Sequence, residues 1–277
     1  MDEKELAGLT RRTAEKLFGT DANAGAANAL WGAFDAELGT QFSQFIIGRL
    51  YAREVLPQKA RELCAVASLA AGNRQSQLYT HADACLRLGA TRAEVAEVLF
   101  QVATYAGVPC MVEGLATLKK VLQDRGEWKE GAAGTAPAPQ PADGLDEKQL
   151  MALTGKTAAM LFGPPQNKGG GGAFALWKAF DAGLARQVSL FFSGRLYSRE
   201  VLSQKQRELC AVAALATRDM QHELHIHADA ALRVGATRQE VAEVLFQVAI
   251  YAGVPCMVEG LGTLKKLLQE RGEWAKP

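Results

Sequence analysis

Apolar residues recur at helical spacing along nearly the whole chain. In "TRAEVAEVLFQVATYAG", Val95, Val98, Leu99, Val102 and Ala106 stand at positions i, i+3, i+4, i+7 and i+11, which is the spacing of one helix face. Thr91 and Glu94 stand where a capping box begins a helix, while Gly107 and Pro109 stand where one ends and the next starts. The pattern therefore predicts two consecutive helices in this segment.

Other segments carry the same helical signature. "QSQLYTHADACLRLG" ends at Gly89, a typical C-terminal cap, and "ARELCAVASLAAG" forms a strongly apolar helix. No run of alternating β-branched residues lies between turn signals. The fold class predicted from these patterns is all-α.

The chain contains one long segment twice. "GATRAEVAEVLFQVATYAGVPCMVEGL", from Gly89, returns from Gly235 with only two positions changed, and "LYAREVLPQKARELCAVASLA" returns as "LYSREVLSQKQRELCAVAALA". The offset is 146 residues here and 144 near the start of each copy. A period of this length indicates two homologous domains rather than a solenoid of short repeats.

An Ala/Pro/Gly-rich stretch, "KEGAAGTAPAPQPADG", separates the copies and reads as a linker. We predict a first domain over residues 1–130, a linker over 131–144 and a second domain over 145–277. Each domain is expected to be a bundle of about six helices with its own core. The run Gly169–Gly172 lacks the preceding strand and the lysine of a phosphate-binding loop, so we interpret it as a flexible loop.

Composition and charge exclude several classes of protein. Of 277 residues, 48% are hydrophobic, and 31 basic against 30 acidic residues leave a net charge of +1. Nucleic acid is therefore not an expected partner, because phosphate binding normally requires a basic excess. No apolar run reaches the length needed to span a bilayer, and "MDEKELAGLTRR" lacks a signal core. We expect a soluble, cytoplasmic protein with no membrane partner.

Five cysteines lie within apolar helical patterns, without any Cys-x-x-Cys spacing. A disulfide framework or a zinc site is therefore not expected, and the cysteines are interpreted mainly as small buried residues. Reactive thiols are the alternative, which would need exposure and a lowered pKa. The five are Cys64, Cys85, Cys110, Cys210 and Cys256.

A glutamate and a histidine stand out in each copy. Glu62 precedes His81 by 19 residues, as Glu208 precedes His227. A glutamate inside so apolar a helix is costly unless it is paired or protonated, and two antiparallel helices joined by a short turn could bring the two side chains together. The alternatives are a carboxylate near the helix start beside Arg61 and a histidine that is only part of the core.

The second copy has an additional carboxylate. Glu223 lies one helical turn before His227, where the first copy has Gln77. Glu208, Glu223 and His227 could together hold and pass a proton. The nearby "HELHIH" places His222 and His225 at spacings that suit one metal ion poorly, so no metal site is predicted.

The order "REL…LA", then histidine, "GAT..EV.EVLFQ" and "YAGVP", resembles the carboxymuconolactone decarboxylase family, which includes alkylhydroperoxidase D-like proteins. The resemblance covers roughly residues 45–125 and 191–271. It implies a helical fold that packs as intertwined pairs and forms rings of six such domains. Three two-domain chains would complete such a ring, so the resemblance implies a homotrimer.

The resemblance also separates two chemistries. The peroxidase branch carries a Cys-x-x-Cys whose positions here are Arg74 and Gln77 in the first copy, and Met220 and Glu223 in the second. Without a thiolate there is no nucleophile for a peroxide. The remaining pattern resembles the decarboxylase branch, which works without a metal or organic cofactor on an anionic small molecule such as a carboxylated lactone.

That family implies roles for particular residues. His227 is the expected general acid/base, with Glu208 and Glu223 setting its orientation and pKa, while Glu62 and His81 form the corresponding site of the first copy. Gln77 would orient substrate without titrating. Arg49 and Arg195, in the repeated "GRLY", are candidates for the substrate carboxylate, or else surface charges. Tyr105 and Tyr251 are candidates for the pocket lining, or for packing.

The nearly identical strings from Gly89 and Gly235 contain no acid/base pair beyond Glu97 and Glu243. We interpret them as packing surfaces that join the repeats and form the back of the pocket, although recent duplication would also explain their identity. Two other functions stay open. One is an atypical peroxidase or antioxidant protein using the helical cysteines, and the other is a non-catalytic oligomer with decayed sites.

Overall fold

The structure, a computed structural model, describes residues 2–20, 26–128, 138–163 and 172–274. Within these ranges each copy consists of seven α-helices and one π-helical segment. In the first copy they are α1 Glu3–Phe18, α2 Ala26–Phe34, α3 Ala36–Ser43, π1 Gln44–Tyr51, α4 Gln58–Ala71, α5 Gln75–Arg87, α6 Arg92–Ala106 and α7 Val108–Asp124. In the second they are α8 Glu147–Phe162, α9 Gly172–Phe180, α10 Ala182–Ser189, π2 Leu190–Leu196, α11 Gln204–Thr217, α12 Gln221–Arg233, α13 Arg238–Ala252 and α14 Val254–Glu270.

The all-α prediction is confirmed, since the described residues contain no strand. Each copy has more helices than the six or so expected, partly because Asp35 and Asp181 divide what would otherwise be longer helices. The Asp35 side chain accepts a hydrogen bond from the Leu38 amide and so caps α3. In the described part of the chain no helix has the length and apolar character needed to cross a membrane.

The predicted start and end of α6 are also confirmed. The capping box of Thr91 and Glu94 is present, and Gly107 has φ 87°, a conformation that favours glycine. Pro109 lies in the first turn of α7. These signals turn the chain sharply between two helices that pack against each other along their length.

Among the described residues the main hydrophobic core runs through both copies, instead of each copy having its own, and two smaller clusters accompany it. Helices α4 and α11 pack against each other at its centre. Every residue of α4 from Arg61 to Ala71 is buried, so this helix has no solvent face and needs neighbours on all sides. Its counterpart in the other copy supplies one of them.

Two ion pairs between the copies lie inside this core. Arg207 Nη2 lies 2.8 Å from a Glu97 oxygen, and Arg61 Nη2 lies 2.7 Å from a Glu243 oxygen. All four side chains are at most 1% exposed. Each pair therefore joins α6 or α13 of one copy to α11 or α4 of the other.

The π-helical segments bring α1 and α8 close to the core. A Cβ at Gly48 would overlap the Thr10 hydroxyl, and one at Gly194 would overlap the Thr154 hydroxyl. Only glycine permits this approach. It holds the C-terminal ends of α1 and α8 beside α5 and α12, which carry the two histidines.

The predicted linker lies partly outside the described residues, as does most of the glycine run 169–172. The described end of the linker, residues 138–144, contacts the second copy. Ala142 packs with Leu150 and Leu190, and the Glu200 amide donates a hydrogen bond of 2.9 Å to Gln140 Oε1. The domain boundaries remain a prediction.

We predict that Glu97→Gln lowers the free energy of unfolding by about 3–5 kcal/mol, because it leaves the buried Arg207 guanidinium without a countercharge. Urea unfolding followed by circular dichroism measures the change. Glu113→Gln is the matched control, since Glu113 is exposed on α7, and it should change stability by no more than about 0.5 kcal/mol. A loss below about 1 kcal/mol for Glu97→Gln would show that the ion pair does not hold the copies together.

Candidate functional site

Glu62 and His81 meet in the first copy. Helices α4 and α5 run back along each other after a turn in which Asn73 has φ 54°, a left-handed conformation that asparagine tolerates. His81 Nδ1 lies 2.7 Å from Glu62 Oε2, and both side chains are buried. Arg61, the neighbour considered as an alternative partner, pairs with Glu243 instead.

The second copy repeats this arrangement. His227 Nδ1 lies 2.7 Å from Glu208 Oε2, with the glutamate fully buried and the histidine side chain 12% exposed. Asp219, with φ 56°, forms the corresponding turn. We refer to Glu62–His81 and Glu208–His227 as the first and second dyads.

The dyad geometry assigns the imidazole protons. An ionised carboxylate only accepts hydrogen bonds, so the Nδ1–H group of the histidine donates the hydrogen bond to the glutamate oxygen. This bond fixes the ring orientation and stabilises the imidazolium when it forms. Nε2 is then the atom at which each histidine can take or give a proton.

A tyrosine of the opposite copy lies at each histidine. The Tyr105 hydroxyl, on α6 of the first copy, is 3.4 Å from His227 Nε2 of the second, and the rings meet edge to face with centroids 5.2 Å apart. Tyr251 approaches His81 in the same way, at 5.3 Å. Each dyad therefore belongs to a site built from both copies.

Other aromatic residues around the histidines were not singled out in the sequence. Phe18 and Phe162, at the ends of α1 and α8, lie edge-on to the histidine rings at 5.7 and 5.6 Å. Tyr51 and Tyr197, at the ends of the π-helical segments, lie 6.3 and 6.2 Å from them. Their repetition in "LFG" and "GRLY" of both copies is the signal that could have identified them.

Within the described residues, Glu223 and Gln77 form no hydrogen bond or ion pair with the dyads, and Gln77 is exposed while Glu223 is partly exposed. The reason is geometric. Glu208 occupies His227 Nδ1, and the group that lies nearest Nε2 among the contacts of the described residues is the Tyr105 hydroxyl and not Glu223.

Arg49 and Arg195 lie on the exposed side of the π-helical segments. Within the described residues neither forms an ion pair with a dyad. The arginines four positions later, Arg53 and Arg199, instead pair with buried glutamates of the opposite copy. Arg53 and Arg199 each place Nε within 3.0 Å of both oxygens of Glu243 and Glu97, respectively.

In the part of the chain that the structure describes, the histidines of the "HELHIH" segment do not converge on one point. His225 Nε2 lies 2.8 Å from Glu270 Oε2, His222 is exposed, and His227 belongs to the second dyad. Across the residues that the structure describes, no group of three or more His, Cys, Asp or Glu side chains is arranged to hold a metal ion.

A cavity of about 580 Å³ opens on the second copy between α12 and α14. Its volume suits a small-molecule ligand. Phe162 forms one wall, and the same side chain packs against the His227 ring. Lys266 and Arg233 also line the cavity and bring positive charge, although Arg233 Nε is paired with Asp229 at 2.7 Å.

Three of the cysteines, Cys64, Cys85 and Cys256, have a raised thiol pKa, which disfavours reactivity. Cys64, Cys85 and Cys210 are buried, and Cys110 and Cys256 are partly exposed. A hydrogen bond with Cys210 and burial raise the pKa of the Cys64 thiol well above its usual value. Burial raises the pKa of Cys85 and of Cys256 in the same direction.

Comparison with known proteins places both copies in one family. The model of the carboxymuconolactone decarboxylase family matches residues 36–120 and 182–266. A 4-carboxymuconolactone decarboxylase of Acinetobacter baylyi is 30% identical over 93 residues, which cover 34% of this chain and 69% of that protein. An uncharacterized 15.0 kDa protein encoded between nqo9 and nqo10 in Paracoccus denitrificans is 30% identical over 91 residues, or 32% of this chain and 67% of that protein.

We predict that iodoacetamide at pH 7 labels Cys64 and Cys85 far more slowly in the folded protein than in urea. Only the thiolate reacts, and a raised pKa leaves less thiolate at pH 7, so labelling should accelerate only as the pH rises towards that pKa. Mass spectrometry of both samples measures the rates. Rapid labelling of either cysteine in the folded protein at pH 7 would contradict this and reopen thiol chemistry.

Proposed function

Because the chain belongs to the carboxymuconolactone decarboxylase family, we propose that it is a cofactor-independent decarboxylase of a carboxylated lactone or a related cyclic acid. The observation that carries the proposal is the buried glutamate–histidine hydrogen bond of 2.7 Å, which occurs in both copies. Similarity to a 4-carboxymuconolactone decarboxylase supports this substrate class. The thiol-peroxidase alternative is disfavoured by burial and by the raised thiol pKa values.

The proposed reaction breaks one carbon–carbon bond. The bond to the substrate carboxylate breaks, carbon dioxide leaves, and the electron pair passes into the conjugated lactone carbonyl. His227, as imidazolium, then gives its Nε2 proton to the ring carbon, while the Glu208 carboxylate stabilises the cation and holds the ring. Solvent returns the proton. A well-placed general acid of this kind contributes roughly 10²–10⁴-fold to the rate.

The second copy is proposed to be the more active. Tyr105 stands at hydrogen-bond distance from His227 Nε2, and Phe162, which packs against the His227 ring, also lines the cavity, although neither dyad side chain does. Glu223 does not contact the dyad, so the proposed difference between the copies rests on these two features. Arg49 and Arg195 stay predictions for binding the substrate carboxylate, and Gln77 stays a prediction for orienting the substrate.

We further propose that three chains assemble into a trimer. The "EVLFQVA" helices contribute less to this than the sequence suggests, because Glu97 and Gln101 face the other copy of the same chain. Large apolar side chains are exposed instead on α2 and α9. Phe34 and Phe180, in equivalent positions, are 88% and 86% exposed, and exposed apolar patches of this kind mark association surfaces.

We predict that His227→Gln lowers kcat for 4-carboxymuconolactone decarboxylation at least about 100-fold, because the amide cannot act as a general acid. His81→Gln should cause a smaller loss. Ultraviolet absorbance follows the reaction, and circular dichroism checks that both variants are folded. Full activity of His227→Gln together with loss in His81→Gln would assign the working site to the first copy. Full activity in both would contradict the catalytic role of the dyads.

We predict a mass of about 89 kDa by light scattering at micromolar concentration, three times the 29.7 kDa of one chain. Phe34→Asp combined with Phe180→Asp should reduce the mass, because a charge at an apolar interface is costly to bury. A wild-type mass of 29.7 kDa under these conditions would rule out the trimer.

A further inference from the structure

Each dyad histidine lies between two tyrosines of different origin. One comes from the opposite copy and meets the imidazole edge-on, with interplanar angles of 83° at His81 and 82° at His227. The other comes from the same copy, Tyr51 or Tyr197, and lies more nearly parallel to the imidazole, at 32° and 35°. In the proposed reaction this second tyrosine takes no part in proton transfer.

The Tyr197 hydroxyl is buried, and among the described residues no group meets it at full hydrogen-bond geometry. The Gln101 side chain lies close enough to lower the pKa of the phenol, as the equivalent Gln247 Nε2 lies 3.4 Å from the Tyr51 hydroxyl, which also bonds to that of Tyr251. In the second copy Tyr105 lies at His227 instead. The Tyr197 O–H therefore lacks a well-aligned acceptor, which is costly for a buried group and leaves it able to donate to a bound molecule.

The Tyr197 phenol keeps its proton at neutral pH. Burial raises its pKa well above the usual value, and the negative charge of Glu208 raises it further. The phenol is therefore an available donor and not a base. Its ring centroid lies 6.2 Å from that of the His227 imidazole, so an O–H donor and a proton-transfer group are carried by neighbouring side chains.

We propose that Tyr197 in the second copy donates a hydrogen bond to the substrate oxygen that becomes negative when carbon dioxide is lost, and that Tyr51 does so in the first copy after exchanging its bond to Tyr251 for the substrate. The proposal rests on the decarboxylase function. The electron pair of the broken bond moves to the lactone carbonyl oxygen, the phenol stabilises that enolate without transferring its proton, and His227 protonates the ring carbon. The substrate class is thereby narrowed to acids whose carboxylate loss forms a lactone enolate.

Packing is the alternative role for these rings. The Arg207 guanidinium lies 5.7 Å from the Tyr197 ring centroid, and Arg61 lies at the same distance from Tyr51. A phenylalanine would preserve that contact and remove only the hydroxyl. The substitution Tyr→Phe therefore distinguishes a role of the hydroxyl as a hydrogen-bond donor from a role of the ring in packing.

The first experiment compares Tyr51→Phe/Tyr197→Phe with the wild type. We expect kcat to fall roughly 10²–10³-fold with little change in KM, as for loss of one oxyanion donor. Thermal unfolding should show that the variant is folded. Tyr79→Phe is the matched control, because Tyr79 donates to Asp124 at the surface, outside both sites, and it should retain full activity. Unchanged kcat in the double variant would overturn the proposal and leave the decarboxylase function standing.

The second experiment does not depend on turnover. Tetronate, the planar enolate of a five-membered lactone, is titrated calorimetrically into the wild type, the double variant and the Tyr79→Phe control. We expect the double variant alone to bind at least about tenfold more weakly, since it lacks the charge-assisted hydrogen bond. Tyrosine-dependent binding without any lactone decarboxylation would support the donor while refuting the proposed reaction. Equal affinity in all three proteins, or no binding to the wild type, would overturn the proposal.

Discussion

The buried ion pairs between the copies hold the rest of the structure in place. Glu97 and Glu243 are almost fully buried, and each meets a buried arginine of the opposite copy. Removing one partner of such a pair leaves a charge in the core, which costs several kcal/mol. Gln101 lies one turn further along α6 and donates to the Arg207 backbone oxygen, and Tyr105 lies one turn beyond that, at His227. One face of one helix thus docks the copies and completes a site.

This arrangement gives a physical reason for the nearly identical segments that begin at Gly89 and Gly235. Each segment must present a carboxylate, an amide and a tyrosine to the helices of the other copy, on the same face and in the same order. A substitution at any of these positions affects both the core and the opposite site. The segments are therefore constrained by packing and by the site together.

The sequence predicts well whatever depends on neighbours along the chain. Helices, the Thr91–Glu94 capping box and the turn at Gly107 follow from local patterns, and the Glu62–His81 pairing follows from two helices joined by a short turn. It does not reveal that Tyr105 serves His227, because that contact spans 122 residues and crosses the copies. The role expected of Glu223 rested on helical spacing, which cannot show that both imidazole nitrogens already face other groups.

Each candidate site is shared, with the histidine of one copy completed by the tyrosine of the other. Decarboxylation by two double variants in the His81→Gln background tests this sharing most directly, because only the second dyad then remains. The shared-site arrangement predicts that adding Tyr105→Phe lowers kcat further, whereas adding Tyr251→Phe leaves it unchanged. The reverse result, with Tyr251→Phe damaging and Tyr105→Phe silent, would show that each copy works with its own tyrosine and would contradict the claim.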